Sequence, residues 1–368
     1  MTRPVLKGRR SASLAWALLA GGLAACVPSA SAQPSIAPGP RDITVNATVL
    51  PSFLIGDHDR TRFGALEWLG GLELNSSDQH FGALSGITVS DDGSQFLAVT
   101  DNGFWVRGRV LEDDRSAPTG LTDMQLGPML DRKGNPLNLK ASADAESVTH
   151  AIVDGKPAYL VAFEREHRIE LYAADAKIFS ARPVRFAAPN AIRALGANKG
   201  IESIAVGPAG TPTAGMLVII AERVGKASND IPGWMRRPGA EYRPFHVRRR
   251  DDFDITDAAF LPDGDLLLLE RRFSFLGGIF MRLRRIAAGD LHPGRVVDGP
   301  VLMTADFTHQ IDNMEGLAVH RSKAGDIVVT MVSDDNRSIL QRTLLLRFRL
   351  RPARPESKPL RRPQVSTE

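Results

Sequence analysis

The 368-residue chain carries 46 Lys and Arg against 42 Asp and Glu, a formal charge of +4. Four of the basic residues and no acid fall in the first 32 positions, so the remainder is formally neutral with 42 of each sign, and no basic, aromatic-interleaved groove points to a nucleic-acid partner. Cys26 is the single cysteine, which excludes an internal disulfide and leaves the fold to be held by its core.

Arg3, Lys7, Arg9 and Arg10 precede an apolar stretch over residues 14–25 that is too short for an ordinary membrane span. Residues 1–32 therefore read as an export signal. Leu23-Ala24-Ala25-Cys26 has the form of a lipobox, in which Cys26 becomes the lipidated first residue, whereas Ala30-Ser31-Ala32 before Gln33 fits ordinary release. Arg9-Arg10 also admits a twin-arginine reading. Any of these routes places the mature protein in the periplasm or in the outer membrane as a lipoprotein, with no transmembrane segment. Residues 33–42, opening Pro- and Ala-rich, read as a tether.

Residues 43–350 read as one all-β domain. Two strand-like runs, 43–50 and 63–74, come first. A unit then recurs: an acid leads a short apolar run, a turn follows, and a β-branched run ends in a polar cluster. Its copies lead at Gly86, Glu146, Glu202, Asp257 and Glu315, at intervals of 60, 56, 55 and 58. Asp92-Gly93, Asp154-Gly155 and Asp263-Gly264 supply hairpin turns. Such a near-constant step marks a repeat architecture, and short strands without a helical period point to a β-propeller, whose repeats override the two-domain expectation from length. The remaining strand-like pieces, 43–50, 63–74 and 343–350, predict one further composite blade. The expectation is six blades in a ring closed by N- and C-terminal strands, so that no open edge remains. Residues 351–368, basic and Pro-rich, read as a disordered tail.

The first strand of each blade lines the axis, so the lead carboxylates Glu146, Glu202, Asp257 and Glu315 are expected to form a ring. The strand-end acids Asp101, Glu164, Glu222, Glu270 and Asp334 are expected near the same mouth. Two like charges about 5 Å apart repel by roughly 3 kcal/mol at an effective dielectric near 20, so something must offset the ring. Calcium is one answer, since it takes carboxylates, amide oxygens and water together. Asn102, Asn313 and Asn336 would supply the amides. Arginine is another: Arg165, Arg223 and Arg271 each follow a strand-end Glu, and alternation along a strand aims each at an adjacent blade more readily than at its own neighbour. Raised carboxyl pKa values are the third.

With metal in place, Glu146, Glu202, Asp257, Glu315, Asp101 and Asn102 are the expected ligands. Glu315, Asp334 and Glu202 are the expected catalytic carboxylates, and Arg165, Arg223, Arg271 and Asn336 would hold an anionic substrate. Pocket walls are expected from the segments 106–141, 225–252 and 274–305. The second is rich in arginine and reads either as a lid over an anion or as solvated charge paired with Asp251, Asp252 and Asp254. Ser85 lacks the first glycine of a nucleophile elbow, and His80 and His309 read either as acid-base groups flanking the site or as satisfied loop or core histidines.

Gly82-Ala83-Leu84-Ser85-Gly86, Phe163-Glu164-Arg165, Ile201-Glu202-Ser203, Ile255-Thr256-Asp257, Leu269-Glu270-Arg271-Arg272, Asp312-Asn313-Met314-Glu315-Gly316-Leu317 and Ser333-Asp334-Asp335-Asn336 resemble the phytase-like domain, the esterase-like activity of phytase family. The resemblance spans roughly residues 63–350. It implies a propeller related to exported phosphoesterases, with bound calcium. The acidic motifs that propeller phytases carry near the N-terminus are not found in residues 43–74. The resulting expectation is a calcium-dependent exported hydrolase of a small phosphate or other anionic ester. Its alternatives are a non-enzymatic envelope module that binds a ligand or partner, and a calcium-dependent lactonase-like hydrolase.

Overall fold

A computed structural model describes residues 39–351 except 138, 176, 197–199, 224–229 and 275–276. The expected export signal, Cys26, the start of the expected tether and the expected tail beyond Arg351 lie outside the described residues. Among the described residues no helix is long and apolar enough to cross a membrane.

Five sheets form the five blades of a β-propeller. Blade 1 runs Leu84–Val89, Gln95–Thr100, Phe104–Glu112 and Pro118–Pro128, with Arg41–Asp42 of the expected tether as its outer edge. Blade 2 is Ala145–Val153, Lys156–Phe163, Arg168–Ala173 and Val184–Phe186. Blade 3 is Ile201–Val206, Leu217–Ala221, Asp230–Arg236 and Arg243–Arg248, edged in parallel by Val296–Val297. Blade 4 is Asp254–Phe260, Leu266–Ser274, Gly278–Ile286 and Val301–Ala305. Blade 5 takes Asn313–Arg321, Ile327–Asp334 and Thr343–Leu350 from the C-terminal end, then Leu66–Asn75 and Asn46–Leu50 from the N-terminal end.

The blade count corrects the expectation of six. The terminal strands do not make a blade of their own: Thr343–Leu350 is the third strand of the fifth repeat and pairs Leu66–Asn75 along its whole length. The closure itself is as expected, with both chain ends zipped into one sheet. Each inner strand packs against the inner strands of the two blades beside it.

The core lies between blades, in five apolar clusters, one per interface. Leu266–Leu269 show how sequence produces this. Side chains alternate along a strand, so Leu266 and Leu268 enter the cluster against blade 3, while Leu267 and Leu269 enter the cluster against blade 5. A central strand buried on both faces reads as a continuous apolar run for this reason, and each such leucine contributes about 2 kcal/mol of burial. The turns obey their chemistry as well. Asp154 and Gly155 both hold positive φ, 51° and 74°, the two-residue hairpin turn that matches strand twist.

Every inner strand carries a β-bulge at the equivalent place. Glu146, Glu202 and Glu315 are the extra residues in blades 2, 3 and 5, and Ser85 and Thr256 are their counterparts in blades 1 and 4. A bulge kinks the strand and re-aims the unpaired side chain. Beyond it come Gly86, Ser147, Ser203, Asp257 and Gly316. A Cβ on Gly86 would stand 2.8 Å from Ser147 Cα, and one on Gly316 would stand 3.2 Å from Ile87 N, so only glycine lets these strands close on the axis.

Candidate functional site

The bulges gather the carboxylates of the site. Glu146 lies close enough to Glu202, Glu315, Asp144 and Glu164 for their charges to act on one another, and Glu202 faces Glu222, Glu164 and Glu315. Asp334 joins from the end of the second strand of blade 5, beside Glu315 and Asp101. Asp101, Glu164, Glu222 and Asp334 occupy the same position in four blades, one residue past the partner of the residue before the bulge.

Two expected ring members are elsewhere, and both corrections come from blade 4. Its bulged residue is Thr256, so Asp257 sits one residue deeper, where it ties the axis together. Its carboxylate accepts the Ser147 hydroxyl at 3.0 Å and the backbone N–H groups of Leu317 at 2.8 Å and Ala258 at 2.9 Å. Burial pushes its pKa well above the usual range against those three donors. Asp257 is therefore a pin between blades 2, 4 and 5 and is removed from the ligand set. The same slip puts Arg271 at the ring position and turns Glu270 to the other face of the sheet. Glu270 is fully buried and held by Arg282 Nε at 2.6 Å and Arg284 Nη2 at 2.5 Å.

The arginines are distributed unevenly. Arg271 donates from Nη1 to Glu315 Oε1 at 2.6 Å, lies 3.4 Å from Glu222, and so spans blades 3, 4 and 5. Arg223 reaches Asp254 of blade 4 at 2.9 Å, and Arg249 reaches the same carboxylate at 2.8 Å. Arg165 stays in its own blade, where a positive φ of 53° aims its Nε at Asp144, 2.6 Å away. Lys140 bridges Asp144 at 2.5 Å and Asp101 at 2.6 Å. Asn313 donates to Glu315 at 2.7 Å and accepts from Arg271. Asn102 has its amide engaged by Thr100 Oγ1 and Arg337, and the backbone N–H of Asn336 caps Asp334 at 2.7 Å.

Nine carboxylates (Asp101, Asp144, Glu146, Glu164, Glu202, Glu222, Asp254, Glu315, Asp334) thus meet five cations (Lys140, Arg165, Arg223, Arg249, Arg271) among the described residues. The excess acid shows in the titration. Burial, then Glu202 and Glu315, hold Glu146 well above the carboxylate range. Burial, then Glu222 and Glu164, do the same to Glu202. Glu315 is raised by burial against the pull of Arg271 and Asn313, and Glu164 is raised by burial against a 2.9 Å donor, Gly200 N. Asp334, buried beside Glu315 and Asp101, is pushed up to about 9.

A hard cation fits this donor set. Oxygens of Asp144, Glu146 and Glu164 lie within 4.8 Å of one another, a spread that one calcium with ligands at roughly 2.3–2.6 Å can span. Asp144 is already balanced by Lys140 and Arg165. Glu146, only 9 % exposed, and the half-buried Glu202 receive no hydrogen bond from any described residue. Like charges gathered in a partly buried ring without a donor are what an added cation would offset.

Asp144 escapes sequence reasoning, whereas Asp254 is expected only as a charge partner of the arginine-rich segment, which it is for Arg249. The signal was present as Asp144-Ala-Glu146, Asp254-Ile-Thr256 and Asn313-Met-Glu315, a polar oxygen donor two residues before each of these bulges. The arginine-rich segment 225–252 is not a lid, since most of its described residues form two strands of blade 3. Trp234 is buried there, Arg236 stacks on Phe186 and Tyr242, Arg248 pairs with Asp230 at 3.0 Å, and Arg250 pairs with Asp298. His80 is held by Arg41 and Asp78, His309 packs on Phe53 beside Asp306, and the buried Ser85 hydroxyl donates to Ala83 O. A cavity of about 840 Å³ opens beside the ring between blades 3, 4 and 5, lined by Arg223, Arg249, Arg271, Phe273, Asn336 and Leu340 among others.

A family model described as "Phytase-like: Esterase-like activity of phytase" matches residues 79–337. No curated protein matches the chain. Solved structures similar to it include a protein of unknown function from Dyadobacter fermentans, 12 % identical with a TM-score of 0.37, covering 78 % of this chain and 85 % of that one. The WD40 repeats of RRP9 are 12 % identical with a TM-score of 0.38, covering 78 % and 99 %. Dihydro-heme d1 dehydrogenase NirN is 14 % identical with a TM-score of 0.31, covering 77 % and 52 %. None of the three bears on function.

Proposed function

The chain belongs to the phytase-like family, and from that premise we propose that it is an exported hydrolase that cleaves a phosphate or other anionic ester with calcium held in the carboxylate ring. The observation that carries the reading is the pair Glu146, 9 % exposed, and the half-buried Glu202, neighbours in charge with no donor among the described residues. A purely structural ring would be expected to give each of them an arginine, as Glu315 has Arg271.

Glu146 and Glu164, with Asp144, are the proposed calcium ligands, and Glu202 and Glu315 complete the charge around them. Calcium supplies charge neutralisation of the ester and a lowered pKa for bound water. The protein supplies the rest. Arg223 and Arg271 stand between the ring and the cavity and orient the anion of the substrate. Glu315, fixed by Asn313 and Arg271, holds that arginine in place. Glu202, whose carboxyl burial and its acidic neighbours push well above the usual range, could take a proton from water only once a bound cation had offset those charges. Asp334, one of the expected catalytic carboxylates, is pushed up to about 9 by burial and by Glu315 and Asp101, which suits it to give a proton to the departing oxygen as a general acid. Export leaves Cys26 either lipidated or removed.

The test is elemental analysis of the purified mature protein followed by an ester panel with and without chelator. Calcium in the protein and chelator-sensitive release of phosphate from an aryl phosphate support the proposal. Turnover of a lactone or a carboxylic ester in its place would move the activity to a lactonase-like hydrolase. A metal-free protein inert to the whole panel would leave a binding module of the envelope.

A further inference from the structure

We propose that the ligand of the cavity beside the ring is a monoanionic ester with an apolar substituent, in chemical class a phosphodiester bearing an aryl group, and not a polyphosphate. The inference rests on the site assigned above and narrows its substrate class.

Two observations carry it. The first is charge. Among the described residues the cavity is lined by Arg223, Arg249 and Arg271 against Glu222, Asp252, Asp254 and Asp312, which is 3 − 4 = −1. The lining therefore holds no cationic surplus, and one anionic group held between Arg223 and Arg271 is the most that it accommodates. Six phosphate monoesters would bring roughly −9 to −12, at about −1.5 to −2 each, into a cavity with no such reserve of cations.

The second is the wall. In blade 4 the second strand runs on past the ring position as Arg271-Arg272-Phe273-Ser274, paired with Gly278–Ile286, so this hairpin overhangs the mouth. Residues two apart share a face of a strand, which sets Phe273 above Arg271 on the cavity side. Phe273 is 74 % exposed and lies opposite Ile279 in the pairing, and Leu340, 88 % exposed, lines the cavity from blade 5. Exposed aromatic and aliphatic groups above an anion-holding arginine match a molecule that is charged at one end and apolar at the other. Hydrolysis of such a diester adds the hydroxyl of water to phosphorus, breaks one P–O bond and returns a proton to the departing oxygen. The products are a monoester and an alcohol or phenol.

Titration calorimetry of the calcium-loaded protein with diphenyl phosphate, dimethyl phosphate and inositol hexakisphosphate tests the ligand class without requiring turnover. Diphenyl phosphate is expected to bind about tenfold or more tighter than dimethyl phosphate, the gain from covering its rings. The double variant F273S/L340S is expected to lose that preference, and I152S, whose exposed side chain lies on blade 2 outside the cavity, is expected to keep it. Equal affinity for the two diesters, or tighter binding of the hexakisphosphate, overturns the proposal. Preference for diphenyl phosphate with no hydrolysis of any ester would remove the hydrolase reading and leave this one standing. Calcium-dependent hydrolysis that favours monoesters or the hexakisphosphate would do the reverse.

Discussion

Arg271 Nη1 lies 2.6 Å from Glu315 Oε1, and the same guanidinium reaches Glu222 on the other side, so one cation from blade 4 holds acids of blades 5 and 3. Arg271 occupies the place where blades 1, 2, 3 and 5 carry an acid. Its loss would leave Glu315 and Glu222 facing each other across a gap. Arg271→Met is expected to destabilise the metal-free protein by about 2 kcal/mol, below the range for a fully buried pair because the arginine side chain is 24 % exposed. Added calcium is expected to restore part of the loss, read as the difference in melting temperature with and without chelator.

The raised carboxyls set the sign of the pH dependence. A carboxyl whose folded pKa lies above its unfolded value gives stability that is present in full below the unfolded pKa and lost as pH rises through the folded one. Glu146, Glu202, Glu164, Glu315 and Asp334 all behave this way, Asp334 up to about 9. Asp78 and Asp92, held at about 2 by hydrogen bonds from Arg41 and Ser90, act oppositely, their contribution being lost as pH falls through that value. Urea unfolding of the calcium-free protein is therefore expected to give a maximum near pH 4–5 and a decline toward pH 9.

If the proposed calcium binds, it would displace the protons that the raised carboxyls of the ring retain. Calorimetry at pH 7 in buffers of different ionisation enthalpy is expected to register proton release on binding. Glu146→Gln removes a carboxyl that folding must either crowd among like charges or keep protonated, so it is expected to raise the melting temperature in chelator while weakening calcium at least tenfold. A variant that weakened calcium without stabilising the metal-free protein would contradict the placement of Glu146 among like charges.

Asp257 is expected to matter for folding and not for metal. Asp257→Asn presents an amide N–H where the carboxylate now accepts the Ser147 hydroxyl or the Leu317 N–H, at a cost of about 1–3 kcal/mol. Calcium affinity of the folded variant is expected to stay within a factor of three of the parent, measured by titration.

The sequence carried the repeat because an acid, an apolar run and an Asp-Gly turn return at nearly constant intervals, and these are local chemistry. It misplaced blade 4 because Asp257 and Glu270 offer carboxylates one residue from the positions that face the ring, and only the bulge at Thr256 tells the two registers apart. Blade number was lost for a related reason: strands 46–50, 66–75 and 343–350 are recognisable singly, whereas their shared sheet is a long-range fact. The aromatic wall had no signal at all, since Phe273 continues a strand already read as finished.

Asp257 is rooted in blade 4 yet takes the Ser147 hydroxyl from blade 2 and the Leu317 N–H from blade 5. Ser147 and Leu317 stand 170 positions apart in the chain, so these donors meet only once distant repeats have come round to each other. One carboxylate thereby registers whether the circle has been completed.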